Sequence, residues 1–541
     1  MSSTEASGDV PRVRVPVGST EATAAATLKE ARDSATAARV VEVGPTGAVE
    51  LSPLVTLTRG GTTAIHDRCS PADAEELVGE LEDGTLPTHG AYAVVDHDPG
   101  TGRFPIPGSG PLAVGERRVL ARCGWVRPSA VEEYAGDGSL VSDRVREAPD
   151  EARSRVDGIG LLGRGRGDGS TDEPVAETWR TVRETEGEPV VVVNANEADP
   201  SALVEQTLLE GTPIDVIDGA AAVAHIVGAT DVVLYLDEAD DLARRRVRRA
   251  VSAFADATDS DLNLQVVAGP DAFAAGEMTM ALEALEGNDR LEARRRPPGP
   301  EVYGLFGRPT AVHTARTVAQ VRAALSEPDA FDPDALDPGT RVVTVAGDVV
   351  APATIELPTD GSLEAALDAV DADGRTKAAC VGGRFGGLTQ DLDVPPSAPV
   401  LGTLDLGTNG IVELLNDRRC MVAFAGRRAK FAREENCGRC VPDREGSKQL
   451  VDLLRGIYDG DFREDAIREL ARVMRRTSLC EFGQAAPRPV TTAMDDFRSE
   501  FAAHADGHCP AGECRRREVE RRPGSTLEGD ATAEVDGGSV T

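Results

Sequence analysis

The chain has 541 residues, of which 40% are hydrophobic, and a formal net charge of −34 with an isoelectric point near 4.6. This length predicts about three or four domains, and the apolar fraction is sufficient to fill their cores. The charge excludes a broad nucleic-acid-binding surface, which needs clustered lysine and arginine, and it excludes adhesion to an anionic membrane.

The charged residues of this acidic chain are of unusual types. Only four lysines are present, so arginine supplies nearly all of the positive charge, and acidic residues occur along the whole chain. This pattern indicates a halophilic surface, because strong salt screens the self-repulsion of such a charge. A disordered acidic chain is the alternative, but apolar periodic segments recur from Val13 to Phe501 and argue against it.

The chain lacks the features of a membrane or secreted protein. No run of eighteen apolar residues occurs, and the N-terminus MSSTEASGDV has no charged start followed by an apolar core. The nine cysteines are few and odd in number, and five of them follow residue 436. We therefore expect no membrane insertion, a cytoplasmic location, and a metal or redox site near the C-terminus.

Residues 11–95 have the pattern of a small α/β unit. The segments VRVPV, ARVVEVG and LSPLVTLTRG are typical strands, and EATAAATLKEARDSATAA contains strong helix formers. A second helix is predicted after Ser70, an N-cap residue that acidic residues follow in the first turn.

The remaining segments alternate in character. Residues 120–325 contain β-rich runs such as EPVVVVNA and DVVLYLD separated by helical stretches, which implies parallel strands with crossover helices. Residues 339–400 contain short alternating strands and predict a small β-rich domain. Residues 410–505 show apolar residues at helical spacing, and residues 515–541 contain few apolar groups and are predicted to be disordered.

Some of the nine cysteines lie in motifs and others do not. Cys437 and Cys440 form a CxxC, which by itself is compatible with zinc, an iron–sulfur cluster or buried thiols. Cys509 and Cys514, in HCPAGEC, can bind a metal, and surface or paired thiols are the simpler interpretation. Apart from these four cysteines and Cys480, the remaining cysteines are interpreted as small packed residues: Cys69, Cys123, Cys380 and Cys420.

Several motifs occur in an order typical of one family. They include VVNANEADP, GEMTMALEALEG, YGLFGRPTAVHTARTVAQV, CMVAFAGRRAKFAREENCGRCVPDREGSKQLVDLLRGI and TSLCEFGQAAPRPV. Over residues 120–514 the chain resembles the NADH-binding flavoprotein subunit of respiratory complex I and its relatives in NAD-linked hydrogenases and formate dehydrogenases. The resemblance implies an α/β multidomain fold with an FMN/NADH-binding α/β domain at 120–325, a β-grasp-like domain at 339–400 and a C-terminal helical iron–sulfur domain at 410–505.

Residues 11–95 resemble the family's thioredoxin-like domain less closely. Pro45 and Val49 stand where that domain has cluster cysteines, so a degenerate remnant without a cluster is expected. The resemblance also implies a cluster in the helical domain, with the ligand positions Cys437, Cys440, Asp443 and Cys480. Because a carboxylate is a harder donor than a thiolate, a 4Fe–4S cluster with Asp443, a 3Fe–4S cluster and no cluster all remain open.

The resemblance assigns flavin and nucleotide positions as well. The start of a glycine-rich phosphate loop is kept, and acidic and amide residues follow the predicted strands, but several family positions are altered. The candidate cofactor-binding residues are Gly163, Arg164, Gly165, Gly167, Asn194, Glu197, Glu277, His313 and Thr314.

Three functions follow from these observations. The first is an NADH dehydrogenase-type oxidoreductase that passes electrons from NADH through FMN to the cluster and on to another subunit of a redox complex. The second is a non-catalytic or cluster-only scaffold subunit that has lost flavin and NADH binding. The third is a small zinc- or iron-binding interaction protein. The altered flavin positions favour the second, and the retained cluster cysteines favour the first.

Overall fold

A computed structural model describes residues 10–514 apart from 22, 136–138, 166–171, 198 and 200. The predicted disordered tail at 515–541 and the candidate Gly167 lie outside the described residues. In the part of the chain that is described, no helix is long and apolar enough to cross a membrane.

The N-terminal unit is a five-stranded sheet covered by two helices. The sheet has the order β2-β1-β3-β4-β5, with β1 and β2 parallel and the other neighbours antiparallel. Ser70 caps α2 as predicted, because its hydroxyl accepts from the Asp73 backbone while the Asp73 carboxylate accepts from the Ser70 backbone. The elements are β1 (Arg12–Pro16), α1 (Ala24–Ser34), β2 (Arg39–Val43), β3 (Val55–Arg59), β4 (Thr62–His66), α2 (Pro71–Glu82) and β5 (Ala93–Asp96).

The second unit is a parallel sheet with the order β8-β7-β6-β9. Its central strand β6 is buried along its whole length, which explains the uninterrupted valines of its sequence. The elements are α3 (Val141–Glu147), α4 (Pro149–Ile159), α5 (Val175–Glu184), β6 (Val190–Ala195), α6 (Val204–Gly211), α7 (Pro213–Val227), β7 (Asp231–Asp237), α8 (Asp241–Ala257), β8 (Asn263–Gly269), α9 (Met278–Leu285), β9 (Thr310–Thr314) and α10 (Ala315–Ser326).

The third unit is a mixed sheet with the order β11-β10-β14-β12-β13. Its strand β14 pairs in parallel with β10 and antiparallel with β12, although the sequence placed residues 410–416 with the helical segment. The elements are β10 (Thr340–Gly347), β11 (Ala353–Pro358), β12 (Thr376–Val381), β13 (Gly387–Thr389), α11 (Ala398–Thr403) and β14 (Ile411–Asn416).

The C-terminal unit is helical. Helices α12, α13, α14 and α16 pack around a core that includes Met421, Leu450, Ile467 and Phe501, all of them fully buried. The elements are α12 (Met421–Glu435), α13 (Val441–Tyr458), α14 (Glu464–Thr477), α15 (Glu481–Ala485) and α16 (Arg488–Ala505).

A buried ion network joins the second and third units. The Asp337 carboxylate, which is fully buried, lies 2.8 Å from the Arg164 guanidinium and accepts a 2.9 Å hydrogen bond from Arg341. Arg341 also donates to Asp172 at 3.0 Å, and Arg164 donates to the carbonyls of Pro338 and Thr340. Despite its burial, the pKa of Asp337 lies below its usual value because these two guanidiniums favour the charged carboxylate.

Replacement of Asp337 by alanine should therefore lower the free energy of unfolding by about 3–5 kcal/mol, because the buried Arg164 guanidinium would lose its carboxylate partner and Arg341 would lose one of its two. Urea denaturation checks this value. The matched control is Asp452→Ala, which removes an exposed partner of Arg455 and should change stability little. Equal effects of the two substitutions would contradict a structural role for the network.

Candidate functional site

The carboxyl ends of β6 and β9 form one edge of the parallel sheet. Asn194 and Thr314 are paired residues at this edge, and both are buried. Parallel α/β sheets place their ligands at this end of the strands. The structure therefore brings two of the predicted cofactor positions together.

Asn194 holds the turn that precedes α9. Its side-chain amide donates a 2.9 Å hydrogen bond to the carbonyl of Gly276. The next residue, Glu277, is fully buried and caps α9 by accepting from the backbone of Thr279 and Met280. Asn194 and Glu277 are thus connected through the turn at Gly276. The Arg296 guanidinium lies 3.7 Å from the Glu277 carboxylate.

Glu197 lies beside the same edge and is bound by a buried arginine. Arg316 donates to Glu197 at 2.7 Å and to Glu205 at 2.8 Å. Burial raises the pKa of Glu197 to about 7, against the opposing influence of Arg316. This carboxylate is therefore fixed in place by the protein itself.

The described part of the glycine-rich loop approaches Thr314. The Thr314 and Thr317 hydroxyls both donate to the carbonyl of Arg164. The Arg164 side chain points into the domain junction, towards Asp337. Gly165 lines a small cavity together with Arg316 and Arg341, and Nη2 of Arg341 is buried without a hydrogen-bond partner among the described residues.

His313 occupies a different environment from its neighbour Thr314. Its Nε2 accepts a 2.8 Å hydrogen bond from Nε1 of Trp179, and both side chains are buried under α5. Burial lowers the pKa of His313 to about 4, so the ring is neutral at pH 7. The structure packs His313 in the core beside α5 and does not bring it to Asn194.

Three of the four predicted cluster ligands lie at the starts of two helices, and Cys437 lies in the segment that joins α12 to α13. Cys440 precedes α13, Asp443 is the third residue of that helix, and Cys480 precedes α15. A side chain at Gly483 would meet Cβ of Asp443 at 2.8 Å, so this glycine allows α15 to approach α13 closely. Cys437 packs against the same apolar cluster as Cys480.

The buried groups at this site are suited to a metal. Asp443 is 1% exposed, and its Oδ1 has no hydrogen-bond partner in the described part of the chain. Burial raises the pKa of Asp443 to about 7, and burial, with the nearby Glu277 and Asp443 carboxylates, raises the pKa of Cys480. A bound cation would stabilise the deprotonated forms, so three thiols and one carboxylate fit an iron–sulfur cluster.

Four phenylalanines connect the cluster ligands with the sheet edge. Phe273 contacts Phe385, Phe431 and Phe482 with ring centroids 5.6, 5.1 and 5.8 Å away. Phe273 begins the turn that ends at Gly276, the residue held by Asn194. Phe482 is two residues after Cys480, so the aromatic cluster spans the gap between the two groups of candidate residues.

A cavity of about 340 Å³ lies against this aromatic cluster. Phe273, Phe385 and Phe482 form part of its wall, and Asn409 and Arg488 supply polar groups. Oδ1 of Asn409 is buried and lacks a hydrogen-bond partner among the described residues. Apolar walls with a few polar groups are typical of a cofactor pocket. The candidate flavin residues that the structure describes do not line this cavity, and Arg341 lies in the smaller cavity beside Gly165.

A second set of metal-ligand residues lies at the other end of α12. The ligand atoms of Cys420, His504, Cys509 and Cys514 all lie within 4.8 Å of one another. Sγ of Cys514 is 3.7 Å from Sγ of Cys420 and 3.6 Å from Nε2 of His504, and the Cys420 to His504 distance is 3.3 Å.

These separations match a tetrahedral zinc ion. Zinc–sulfur bonds of about 2.3 Å and zinc–nitrogen bonds of about 2.0 Å place tetrahedral ligand atoms roughly 3.5–3.8 Å apart. The simpler interpretation of Cys420 as a packed thiol, and of Cys509 and Cys514 as surface or paired thiols, therefore misses their shared position. The sequence analysis missed His504, although it lies only five residues before Cys509. The member that no local spacing reveals is Cys420, which is 84 residues from His504.

The fold and the site define a class of protein. A parallel α/β unit with polar groups at its carboxyl edge faces, across an aromatic cluster, a thiol-rich site in a helical unit. This is the architecture of a multidomain redox protein with a nucleotide-type pocket next to an iron–sulfur site.

Comparisons with known proteins identify the family. Residues 156–323 match the Nuo51 FMN-binding domain, and residues 423–504 match the NADH-ubiquinone oxidoreductase-F iron-sulfur binding region. The F subunit of the NADH-quinone oxidoreductase of Streptomyces coelicolor is 32% identical over 67% of this chain and 85% of its own length. The HndC subunit of the NADP-reducing hydrogenase of Solidesulfovibrio fructosivorans is 30% identical over 73% of this chain and 85% of its own length.

The similarity extends to a solved structure. A chain of an NAD+-reducing NiFe-hydrogenase in the air-oxidized state superposes with a TM-score of 0.63 at 25% identity, covering 92% of this chain and 86% of that chain. The protein belongs to the family of NADH dehydrogenase-type flavoprotein subunits, which have an FMN-binding domain and a 4Fe–4S region. The predicted family and α/β multidomain fold class are confirmed.

Acid should weaken the fold through His313. The unfolded histidine takes up a proton near pH 6.5, whereas the folded one does so only near pH 4, so stability falls as the pH drops through this interval. The loss reaches about 3 kcal/mol at its full extent. Urea denaturation at several pH values should show a smaller fall for His313→Gln, which removes the titrating group, than for the control His89→Gln at an exposed site. The same acid response in both variants would contradict this assignment.

The second set should bind one zinc ion per chain. We expect elemental analysis to find zinc in the purified protein, and Cys514→Ser should lose it because one of four ligands is removed. Cys69→Ser, a buried thiol of the N-terminal unit, is the matched control and should retain the metal. Zinc retained by Cys514→Ser and by Cys509→Ser would exclude this set as the site.

Proposed function

We propose that this protein oxidises NADH through bound FMN and passes electrons to an iron–sulfur cluster held by Cys437, Cys440, Asp443 and Cys480. The observation that carries the proposal is the aromatic-walled cavity. Two of its lining residues, Glu481 and Phe482, directly follow Cys480, and another, Phe273, begins the turn fixed by Asn194. A flavin in this region would lie between the nucleotide edge of the sheet and the cluster ligands.

The flavin phosphate is proposed to bind near Gly163, Gly165 and Gly167. Glycines leave the backbone N–H groups of such a loop accessible to a phosphate. Arg341 supplies a buried donor beside Gly165. Arg164 acts here as a positioning residue, because its side chain ties the loop to Asp337 and its carbonyl is fixed by Thr314 and Thr317.

Asn194, Glu197 and Glu277 are proposed to position the flavin and the nicotinamide. Asn194 and Glu277 are held by the turn at Gly276, and Glu197 is held by Arg316, so none of the three needs to reorganise on binding. Thr314 fixes the carbonyl of Arg164 at this edge, while His313 is packed against Trp179 in the core. When bound, FMN accepts two electrons from NADH as a hydride and releases them singly, which is the conversion that an iron–sulfur acceptor requires.

Asp443 is proposed to be the fourth cluster ligand. The side chain is buried and lies next to α15, the helix that Cys480 precedes. A carboxylate bonds iron less strongly than a thiolate does, so the iron at this corner should exchange more readily and a 3Fe–4S form should be accessible. This ligand would also shift the reduction potential relative to an all-cysteine site.

We place the protein in the cytoplasm, peripheral to a larger redox complex. Its relatives in Streptomyces coelicolor and Solidesulfovibrio fructosivorans are subunits of a quinone oxidoreductase and of a hydrogenase, which indicates that an electron-accepting iron–sulfur subunit is the partner. The acidic surface supports neither nucleic-acid binding nor membrane insertion.

The second candidate function is a scaffold that retains the domains without flavin chemistry. It is favoured by the internal bonding of the candidate residues, since Arg164 and Glu197 are paired with protein side chains and His313 is packed against Trp179. If the protein is such a scaffold, the purified chain should contain the iron–sulfur cluster but no flavin.

Anaerobic purification in high salt, followed by absorbance spectroscopy and iron and FMN analysis, separates the two functions. If the protein oxidises NADH, we expect bound FMN with about three or four irons per chain, and NADH should bleach the flavin absorbance band. Iron without flavin would establish the scaffold and exclude NADH oxidation. Cys480→Ser should lose iron whereas Cys69→Ser should keep it, and Asp443→Cys should hold its iron more firmly than the natural protein does.

A further inference from the structure

A pocket of about 400 Å³ lies between the N-terminal unit and α8, away from the proposed flavin region. Five guanidiniums and a single carboxylate line it: Arg32, Arg39, Arg127, Arg246, Arg249 and Glu42. In a chain with 92 acidic and 58 basic residues, this local excess of positive charge is opposite in sign to the rest of the molecule.

The arginines come from four separate elements. Arg246 and Arg249 are three residues apart on α8 and therefore share one face of the helix. Arg39 lies on the edge strand β2, opposite them, while Arg32 belongs to α1 and Arg127 to the segment that links the two units. The pocket thus exists only because the first two units pack together.

The acidic residues nearby neutralise only part of this charge. Glu42 is shared by Arg246 at 2.8 Å and Arg32 at 3.6 Å, and Arg127 is paired with Glu132 and Glu133. Arg39 and Arg249 are exposed and have no ion-pair partner among the described residues. They are therefore available to an anion.

The strand pairing adds to the positive field. Arg39 is aligned with Arg12 on β1, and like charges on paired strand residues are unfavourable without a counter-ion. The neighbouring Arg14 is buried over the Trp125 ring, and its pKa is lowered to about 9, mainly by burial and further by Arg12 and Arg39. An anion in the pocket would relieve this repulsion.

We propose that this pocket binds a small organic diphosphate, such as the diphosphate group of a nucleotide. A guanidinium can donate two parallel hydrogen bonds to two oxygens of one phosphate group. The pocket has two arginines without an ion-pair partner among the described residues, Arg39 and Arg249, so a ligand with two phosphate groups matches them in number. Val40, Val41 and Pro128 provide an apolar wall for the organic part. The pocket is concave, which suits a small molecule. The acidic surface of another protein would instead need a flat basic patch.

Binding here would couple the first two units. Arg246 also donates to the backbone carbonyls of Val17 and Glu210, at 2.8 and 2.9 Å, and so connects the pocket wall to both units. A ligand that bridges β2 and α8 should stabilise the folded protein by an amount that rises with the logarithm of the ratio of its concentration to Kd. This role does not depend on flavin or NADH binding.

Calorimetric titration and thermal unfolding of the full chain in high potassium chloride test the proposal, with pyrophosphate, ADP and adenosine as probes. We expect pyrophosphate and ADP to bind and to raise the melting temperature, and adenosine to do neither. Arg39→Ala and Arg249→Ala should each weaken pyrophosphate binding by about tenfold, because each removes charge-assisted hydrogen bonds. Arg39→Lys should retain part of the affinity.

The matched control is Arg248→Ala, an exposed arginine of the same helix that does not line the pocket. It should bind pyrophosphate like the natural protein, since high salt screens attraction beyond direct contact. Unchanged binding in the Arg39→Ala, Arg249→Ala double variant would overturn the proposal. So would equal affinity for pyrophosphate, phosphate and sulfate, or binding of an acidic peptide in place of pyrophosphate.

Discussion

Buried arginine–carboxylate pairs hold the central part of this protein together. Arg164, Asp337 and Arg341 connect the second and third units, while Arg316 joins Glu197 and Glu205 beneath the sheet edge. A buried charge is costly unless it is paired and fully hydrogen-bonded, so each of these groups requires the others in place. The position of the glycine-rich loop and of the acidic residues beside it therefore depends on how the units pack.

The preference for arginine over lysine is consistent with this arrangement. A guanidinium can donate to several acceptors in one plane and is more weakly hydrated than an ammonium group, which suits it to buried pairs. Dissolved salt screens repulsion between charges at the acidic surface, whereas it screens these interior pairs far less. High salt should consequently preserve the internal network while it suppresses repulsion at the surface.

Helix α12 separates two sites with different chemistry. It begins after Cys420 and ends just before Cys437, and its 15 residues span about 22 Å. The set at its start, with His504, Cys509 and Cys514, has the separations of a zinc site, and zinc has no redox chemistry. The set at its end adjoins the aromatic cluster that leads to the sheet edge, which is the position that the proposed electron transfer requires.

The sequence by itself determined the features that depend on local chemistry. The Ser70 cap, the buried β6 valines, the CxxC before α13 and the order of the family motifs could all be read from neighbouring residues. Only the tertiary structure decided that Arg164 turns inward to Asp337, that His313 pairs with Trp179, and that Cys420 meets His504. These contacts join residues far apart in the chain. Their formation depends on how helices and sheets pack, which no local pattern encodes.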